Sequence, residues 1–510
     1  MIERGSVSLK QSRIIRSLLS VTGFLIFIKF TGLIKQTVTA GIFGITLETD
    51  LISLSYGLIG NLQFVLFNTL VTSFVAVYLE AKAEDDSFVD TMASHTARAF
   101  SWIAAGLVSL ILIFAGPIAR ILAPTYSTET SIQLAMYLRI FSPLLIVFTC
   151  ISTFQALLGA REKFVLREME GLNQNLLITV LVLAFQCTLG VRSLVAGYIL
   201  APLFNLLFFR FCVRSFWTPT KDNPFHDPGV QQILRLSVPM LLGYAMVYIN
   251  QQVDKILVSG MDVGSVTAMG YAAVLSNLVG TLLVSCTSVL FPYITSLIVK
   301  KNHLAAAQLA VRSSILLMAA FLPVSILTVI CAKDVVSIVF GRGAFSSDAV
   351  RIASYALMGY AFSFVPQVLQ QLFSRFQYGY QDTRRPMVNS TIGIVCNIVL
   401  SITLCPVWGI FGVTFASSVS SLICGILNIL SARQHNAYLH QRDVLFSVPW
   451  LVAGGVVCTL IALWGTGHWA SLATFWRFVL VTITSGGAYS VVVFPFVIKM
   501  LRTTKQMHST

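Results

Sequence analysis

Two lysines, Lys29 and Lys35, stand inside an apolar run, 16–50, that is long enough to cross a lipid bilayer and closes on Glu48 and Asp50. A lysine at mid-bilayer depth costs roughly 2.5–3.5 kcal/mol on insertion scales, so it normally faces protein or water. With Gly32 interrupting the helix between them, the pair points to a wet, positively charged wall that attracts an anion. Snorkelling of Lys35 to an interface and simple packing of Lys29 are the plainer alternatives. Asp50 opens the next apolar run, where a carboxylate either caps the helix, worth about 0.3–1 kcal/mol, or pairs with a lysine of the first run. A second embedded set is Asn250, Gln251, Gln252, Asp254 and Lys255. Adjacent helical residues diverge by about 100°, so Asp254 and Lys255 cannot share one neighbour, and one of them is expected to face a cavity unless both lie at an interface.

These residues must be positioned by membrane helices. The 510 residues are 56% hydrophobic and 11% charged, with a mean hydropathy of +0.82, which excludes a soluble globular protein. Apolar windows of about 20 residues, the length of a bilayer crossing, recur along the whole chain. Fourteen are expected, near 16–40, 51–79, 92–114, 131–159, 169–190, 193–216, 234–258, 266–298, 310–331, 349–376, 386–405, 409–432, 445–465 and 474–498. With a cytoplasmic N-terminus, twenty-four of the 34 lysines and arginines fall inside, six outside and four within segments, the bias expected of cytoplasmic termini and an even number of crossings. The net charge of +14 is then topological and does not imply nucleic-acid binding. The nine cysteines lie in or beside apolar segments without CxxC or histidine pairing, so they predict neither disulfides nor a metal site. The basic N-terminus lacks a convincing cleavage pattern and is expected to be a retained first helix.

The second segment carries a polar stripe, Ser53, Ser55, Tyr56, Asn61, Gln63, Asn68, Thr69 and Thr72, and in lipid such groups need partners. Arg139 is expected as an interfacial anchor or a substrate contact. The turn FQALLGAREKF after the fourth segment has a counterpart six segments later in FQYGYQDTRRP, the offset of a duplicated six-helix unit. The proline-bearing stretch 215–232 looks like a linker between halves. The expected organisation is an all-α integral membrane protein of about 14 transmembrane helices, with a first lobe at 1–217, a linker at 218–232 and a second lobe at 233–432. Helices thirteen and fourteen, at 433–510, would be lipid-facing additions or a groove for a lipid tail. Asn389, Asn397, Ser401, Thr414, Ser417 and Ser418 bring uncharged polar groups to segments eleven and twelve.

Three stretches resemble the lipid II flippase family (MurJ/MviN) of the multidrug, oligosaccharidyl-lipid and polysaccharide exporter superfamily. They are Gly32 to Gln36 with Ile42-Phe43-Gly44 and Thr49-Asp50, then Gly341-Arg342-Gly343-Ala344-Phe345, and then Ser374-Arg375 with Tyr378 to Pro386. The last is similar to the family's SR…YALQDTRTP turn and carries Arg375, Asp382, Thr383 and Arg384. The resemblance implies two six-helix lobes around a central cavity, with the last two helices forming a membrane-open groove. It also implies a cargo of undecaprenyl-pyrophosphate-linked sugar moved from the inner to the outer leaflet of a bacterial plasma membrane by alternating access. Positions where the family carries arginines and acids are here Lys29, Lys35-Gln36, about Gln63, and Ala273-Val274…Asn277, while Asp50 is kept. Lysine lacks arginine's bidentate fork, so pyrophosphate would be held less rigidly. Carried over from the resemblance, Lys29, Lys35, Asp50, Gln63 and Asn277 would meet the headgroup, and Asp254, Asn397 and Ser417 would occupy places similar to a sodium site; Lys255 of the seventh segment is expected as a third cation.

No GxxxxGK[ST] occurs, so no ATP and no cofactor is expected. The drive would come from sodium, protons or membrane potential, and two negative charges moving outward against about 100 mV gain roughly 5 kcal/mol. The expected function is a non-catalytic flippase acting as a monomer, with a lipid-linked glycan and membrane lipids as partners. The alternatives are a cation-coupled antiporter of the same superfamily and a membrane glycan polymerase or ligase. The latter would need catalytic carboxylates or histidines in a sizeable outer loop, and the longest, about 332–348, offers only Asp334 and Asp348.

Overall fold

A computed structural model describes residues 2–507 except 85–88, 216, 221 and 440; the side chains of 1–22, 79, 82–90, 239, 242–243, 441–447 and 499–507 are also outside the described set. Of the charges behind the expected orientation, Arg4, Lys10, Arg13, Arg16, Lys82, Lys221, Arg442, Lys499, Arg502 and Lys505 lie outside it. The described chain is helical, with no strand among the described residues. The long helices are α1 (Ile2–Phe43), α2 (Leu47–Glu84), α3 (Val89–Leu122), α4 (Thr128–Phe141), α5 (Leu144–Ala160), α6 (Phe164–Leu189), α7 (Arg192–Val213) and α8 (Pro228–Ser259). They continue with α9 (Ser265–Val299), α10 (His303–Ile330), α11 (Ala332–Phe340), α12 (Ser347–Ala361), α13 (Phe364–Gly379), α14 (Arg384–His435), α15 (Gln441–His468) and α16 (Thr474–Met507).

Among the described residues eleven helices are long and apolar enough to cross a membrane, twelve if α12 and α13, bent by 41°, form one crossing. The expected fourteen segments map differently at four places. Segment seven, 234–258, lies in α8, which is not among these eleven. Segments eleven and twelve are both inside α14, whose backbone reverses at Gly409 (φ 56°, ψ −139°). Segment four is divided between α4 and α5 at Ser142-Pro143, and segment ten between α12 and α13. Large apolar side chains remain open to the surroundings, among them Ile113, Leu207 and Val491 at 70%, 71% and 75% exposure, as a lipid-facing surface requires.

The chain forms two compact units, Met1–Val266 and Thr267–Thr510. The expected linker at 218–232 does not separate them, because α8 packs on α2 and α3 and so joins the first unit. Ser73 and Ser237 hydroxyls lie 3.0 Å apart across α2 and α8. Asp227 caps α8 through the N–H groups of Gly229 and Val230 while its other oxygen meets His95 Nδ1 of α3 at 2.6 Å. In the second unit α16 is fastened to α10 by the Tyr489 hydroxyl, which donates to the Ala319 carbonyl at 2.8 Å.

The internal repeat is visible in local geometry. Gly190 between α6 and α7 has φ 55° and ψ −136°, matching Gly409 within α14. The same sequence spacing separates Glu162 (φ 60°) from Gln381 (φ 61°), each the left-handed residue of a helix-ending turn. There Lys163 N–H donates to the Leu158 carbonyl at 2.9 Å, and Asp382 N–H donates to the Gln377 carbonyl at 3.1 Å. This register sets Phe154 against Phe373, so the Phe-Gln match seen in sequence is displaced by one helical turn. Both copies also hold an amide clasp between paired helices. Asn173 Nδ2 donates to Asn205 Oδ1 at 3.0 Å, and Asn389 Nδ2 donates to Asn428 Oδ1 at 2.8 Å.

Close helix contact explains several glycines. Helix α1 runs through Gly32 without the expected interruption; the glycine instead admits α6, since a methyl there would lie 3.2 Å from Asn175 Nδ2. Gly359 of α12 is tighter still, with an added methyl 2.8 Å from the Phe415 nitrogen and 2.9 Å from the Phe411 carbonyl oxygen of α14. Overpacking against backbone costs about 1–3 kcal/mol. Gly359→Ala is therefore expected to lower the melting temperature in detergent. Gly467→Ala, with open space around the new methyl, is expected to leave it unchanged. Equal melting of the two variants would contradict the close α12 to α14 approach.

Candidate functional site

The first unit carries the three candidate lysines, Lys29 and Lys35 on α1 and Lys255 on α8. Lys29 is exposed, beside the exposed Phe27 and Phe30 on the open side of α1, and Lys35 is half-buried. Lys255 reaches from α8 onto α2, where its Nζ lies over Gly57 so closely that a methyl at Gly57 would collide with it. Among the described residues none of the three lysines makes an ion pair. An unpaired ammonium in a low-dielectric setting is costly, and an anionic ligand would relieve that cost.

Polar groups flank Lys255. Asn61 Nδ2 of α2 donates to Gln252 Oε1 of α8 at 3.3 Å, while Gln252 Nε2 and Asn250 Oδ1 are buried without a partner. Gln63 is half-buried on the same α2. Asp254, next to Lys255, is buried at 7% exposure, so the two point apart as their helical spacing requires.

Asp50 is an acid in the first turn of α2, as the helix-start reading expects, and it also reaches beyond its own helix. Thr46 and Thr49 close the same helix start, with Thr46 N–H donating to Thr49 Oγ1 at 2.8 Å. Asp50 is 2% exposed, and its Oδ2 accepts the Gly264 N–H at 2.7 Å, in the turn between α8 and α9 where Gly264 has φ 91°. The carboxylate secures a helix-connecting turn and is not presented on an open wall. It also raises the titration of the Tyr126 phenol in the α3 to α4 turn, secondary to the effect of burial.

The remaining candidates lie in the second unit. Asn277 is an exposed residue of α9. Asn397 and Ser417, on the two legs of α14, are brought together, Nδ2 donating to Oγ at 3.1 Å, and Asn397 Oδ1 accepts from Ser401 at 2.9 Å. Asp254 belongs to the other unit. Asp334 is ion-paired with Arg477 of α16, and Asp348 meets Arg351 at 3.2 Å on the same turn, so both of these carboxylates have a basic partner.

The QDTRRP turn is a clasp for the α14 hairpin. Asp382 Oδ1 accepts the N–H groups of Arg384 and Arg385 at 3.0 and 3.1 Å, and Oδ2 lies 2.7 Å from Nε2 of His435 at the far end of α14. Burial pushes the Asp382 carboxyl up, but the Arg385 N–H, the His435 hydrogen bond and the charges of His435 and Arg385 outweigh it and hold the group below its usual value. Thr383 begins the helix without capping it through its side chain, and Arg384 lines a cleft of about 440 Å³ beside Asp382, Arg385 and His435. Arg375 of α13 donates to the Ser288 hydroxyl of α9 at 2.7 Å. The whole motif therefore ties helices together.

An apolar groove of about 440 Å³ runs between α10, α13 and α15, lined by Met318, Leu322, Val365, Leu451, Val452 and Val456 among others. Gly455 of α15 forms part of its floor. Sequence reasoning missed Gly57, whose only signal was its place in the polar stripe of α2, and the His95 to Asp227 contact, which joins residues far apart in the chain.

The sequence pattern of the family described as "Lipid II flippase MurJ" matches residues 39–481. A probable lipid II flippase MurJ of Borreliella burgdorferi is 23% identical over 430 residues, covering 82% of this chain and 83% of that protein. The counterpart in Treponema pallidum is 24% identical over 480 residues, covering 87% and 88%. Among solved structures, a lipid II flippase MurJ in an inward closed conformation has a TM-score of 0.80 at 20% identity, covering 94% of this chain and all of that one. An inward-facing multidrug transporter of the same superfamily follows at 0.64 and 13%, covering 83% of this chain and 98% of that one.

Proposed function

Because the chain belongs to the lipid II flippase MurJ family, we propose that it moves lipid II, or a closely related undecaprenyl-pyrophosphate-linked sugar, from the inner to the outer leaflet of a bacterial plasma membrane. Transport is by alternating access, for peptidoglycan synthesis, with both chain termini in the cytoplasm. The observation that carries the chemistry is the set of three lysines without counter-ions among the described residues. Lys29, Lys35 and Lys255 neutralise the pyrophosphate; Asn61, Gln63 and the unpartnered amide of Gln252 supply hydrogen bonds to phosphate or sugar.

The lipid chain follows the groove between α10, α13 and α15, whose walls are almost entirely hydrocarbon. Little energy is gained by moving such a chain from lipid to protein, so the groove guides the chain and adds little to its affinity. The protein is a transporter without catalysis, acting as a monomer and without ATP. For sodium, Asn397 Oδ1 and Ser417 Oγ offer oxygens already within one hydrogen-bonded group, which ion binding would have to rearrange.

The test is complementation of a bacterium depleted of its lipid II flippase. Growth is expected with the wild-type chain at matched expression. A well-expressed, membrane-inserted chain that fails to sustain growth would remove lipid II as the cargo.

A further inference from the structure

Glu170 is an acidic residue that the lysine site does not use. It lies six residues into α6, roughly 9 Å along the axis from the helix start, in a segment long and apolar enough to cross the membrane. Its Oε2 accepts one hydrogen bond, from Gln155 Nε2 of α5 at 2.9 Å. That amide also donates to the Arg167 carbonyl at 2.8 Å, and Gln155 is only 4% exposed. The other end of the same amide, Gln155 Oε1, is buried and accepts nothing. A half-buried carboxyl group and an orphaned carbonyl oxygen thus adjoin on α6 and α5.

Among the described residues, the charged and titratable groups around it leave the carboxylate without a counter-ion. From α2 comes Tyr56, whose hydroxyl accepts from Gln174 Nε2 at 2.7 Å, one turn along the Glu170 face of α6. From α7 come Tyr198, stacked on Tyr56 at 4.0 Å, and Asn205, whose amide donates to the Glu170 backbone carbonyl at 3.2 Å. On α6 itself Arg167 is paired with Glu168 at 3.4 Å. Lys29 and Lys35 of α1 make no ion pair with Glu170, and α5 brings only the neutral Gln155. An anionic carboxylate in this half-buried position has no ion-pair partner among the described residues to offset its partial desolvation. A sodium ion would need five or six oxygens, more than this site assembles. A proton needs one lone pair on Glu170 and one acceptor for the resulting O–H, and Gln155 carries an unoccupied acceptor.

We propose that Glu170, backed by Gln155, is a proton-binding site of the first unit, loaded from water and distinct from the lysine site that meets the cargo. Loading places one proton from hydronium on a carboxylate oxygen and leaves a neutral carboxylic acid; release reverses it. Its use in coupling transport to a proton gradient rests on the flippase reading, whereas proton binding itself does not.

The experiment is pH-difference infrared spectroscopy of the full chain in lipid nanodiscs, with and without sodium, beside lipid II flipping in vesicles across the same pH range. A protonated-carboxyl band that follows pH, ignores sodium, disappears in Glu170→Gln and persists in Glu168→Gln is expected. Gln155→Leu keeps the carboxyl but removes its amide, so its band is expected at higher frequency. In vesicles the pH dependence of the flipping rate is expected to flatten in Glu170→Gln. A full-size band in Glu170→Gln, a band displaced by sodium, or an unshifted band in Gln155→Leu would overturn the site. Absence of lipid II flipping by the wild type would overturn the cargo and leave the infrared result standing.

Discussion

Replacing Lys35 and Lys255 together by alanine is expected to abolish lipid II flipping in reconstituted vesicles, with each single replacement lowering the rate about thirtyfold. Truncating one partner of a desolvated charge contact costs about 2–5 kcal/mol, and the lower figure corresponds to roughly thirtyfold. On the proposed function the anion's partner is a lysine that makes no ion pair among the described residues, so removing it leaves pyrophosphate uncompensated. Lys35→Arg and Lys255→Arg test the same point from the other side. A guanidinium restores charge and adds a planar fork for phosphate oxygens, so Lys35→Arg is expected to retain transport. Lys255→Arg has to place a bulkier group against Gly57 and is expected to be the poorer of the two. Wild-type rates in the double alanine protein, at matched insertion, would mean that the lysines do not face the cargo.

Asp334→Ala is expected to destabilise the protein by about 3 kcal/mol, the low end for breaking a buried ion pair. Asp334 of α11 is 4% exposed and receives Arg477 of α16 through two guanidinium nitrogens. Deleting the carboxylate strands an arginine in a helix that crosses the membrane, which costs more than the lost attraction. The melting temperature in detergent is the readout, and Asp334→Ala combined with Arg477→Leu is expected to recover most of the loss because no buried charge remains. If the single variant melted like the wild type, the ion pair would contribute nothing. Both residues also bear on the alternative of a membrane polymerase or ligase: Asp334 is held in a structural pair, and Asp348 is exposed on the first turn of α12.

Hydropathy and the distribution of lysine and arginine were enough to read a multi-helix membrane protein, because burying a helix in lipid imposes a constraint on every residue along it. The family likewise showed in short motifs, such as the turn at Asp382 to Pro386. Side-chain duties were less legible. Asp50 was visible as a carboxylate at a helix start, yet its partner is the N–H of Gly264, which no local pattern connects to it. Gly32 read as an interruption and turned out to be a place where two helices approach. Glu170 lay at the edge of an expected segment, where an acid is ordinarily solvated; only the position of Gln155 from another helix reveals its setting. The repeat was detected from a Phe-Gln match that lies one turn out of register, since turns are defined by backbone conformation at Glu162 and Gln381 and not by the residues before them.

The attachment of α8 to α2 bears on how the chain is made. A segment that carries Asn250, Gln251, Gln252, Asp254 and Lys255 is a poor candidate for independent entry into lipid, because central Asp and Lys each cost roughly 2.5–3.5 kcal/mol. Its partners, the Asn61 amide, the Ser73 hydroxyl and the space above Gly57, belong to a helix synthesised long before it. Asn61 and Gln252 are 191 residues apart, so at about 5–20 residues per second the ribosome delivers the second roughly 10–40 s after the first. The earlier helix is thus already in the bilayer as a polar template when the later one emerges, and the order of the gene is the order in which the least lipid-soluble segment can be accepted.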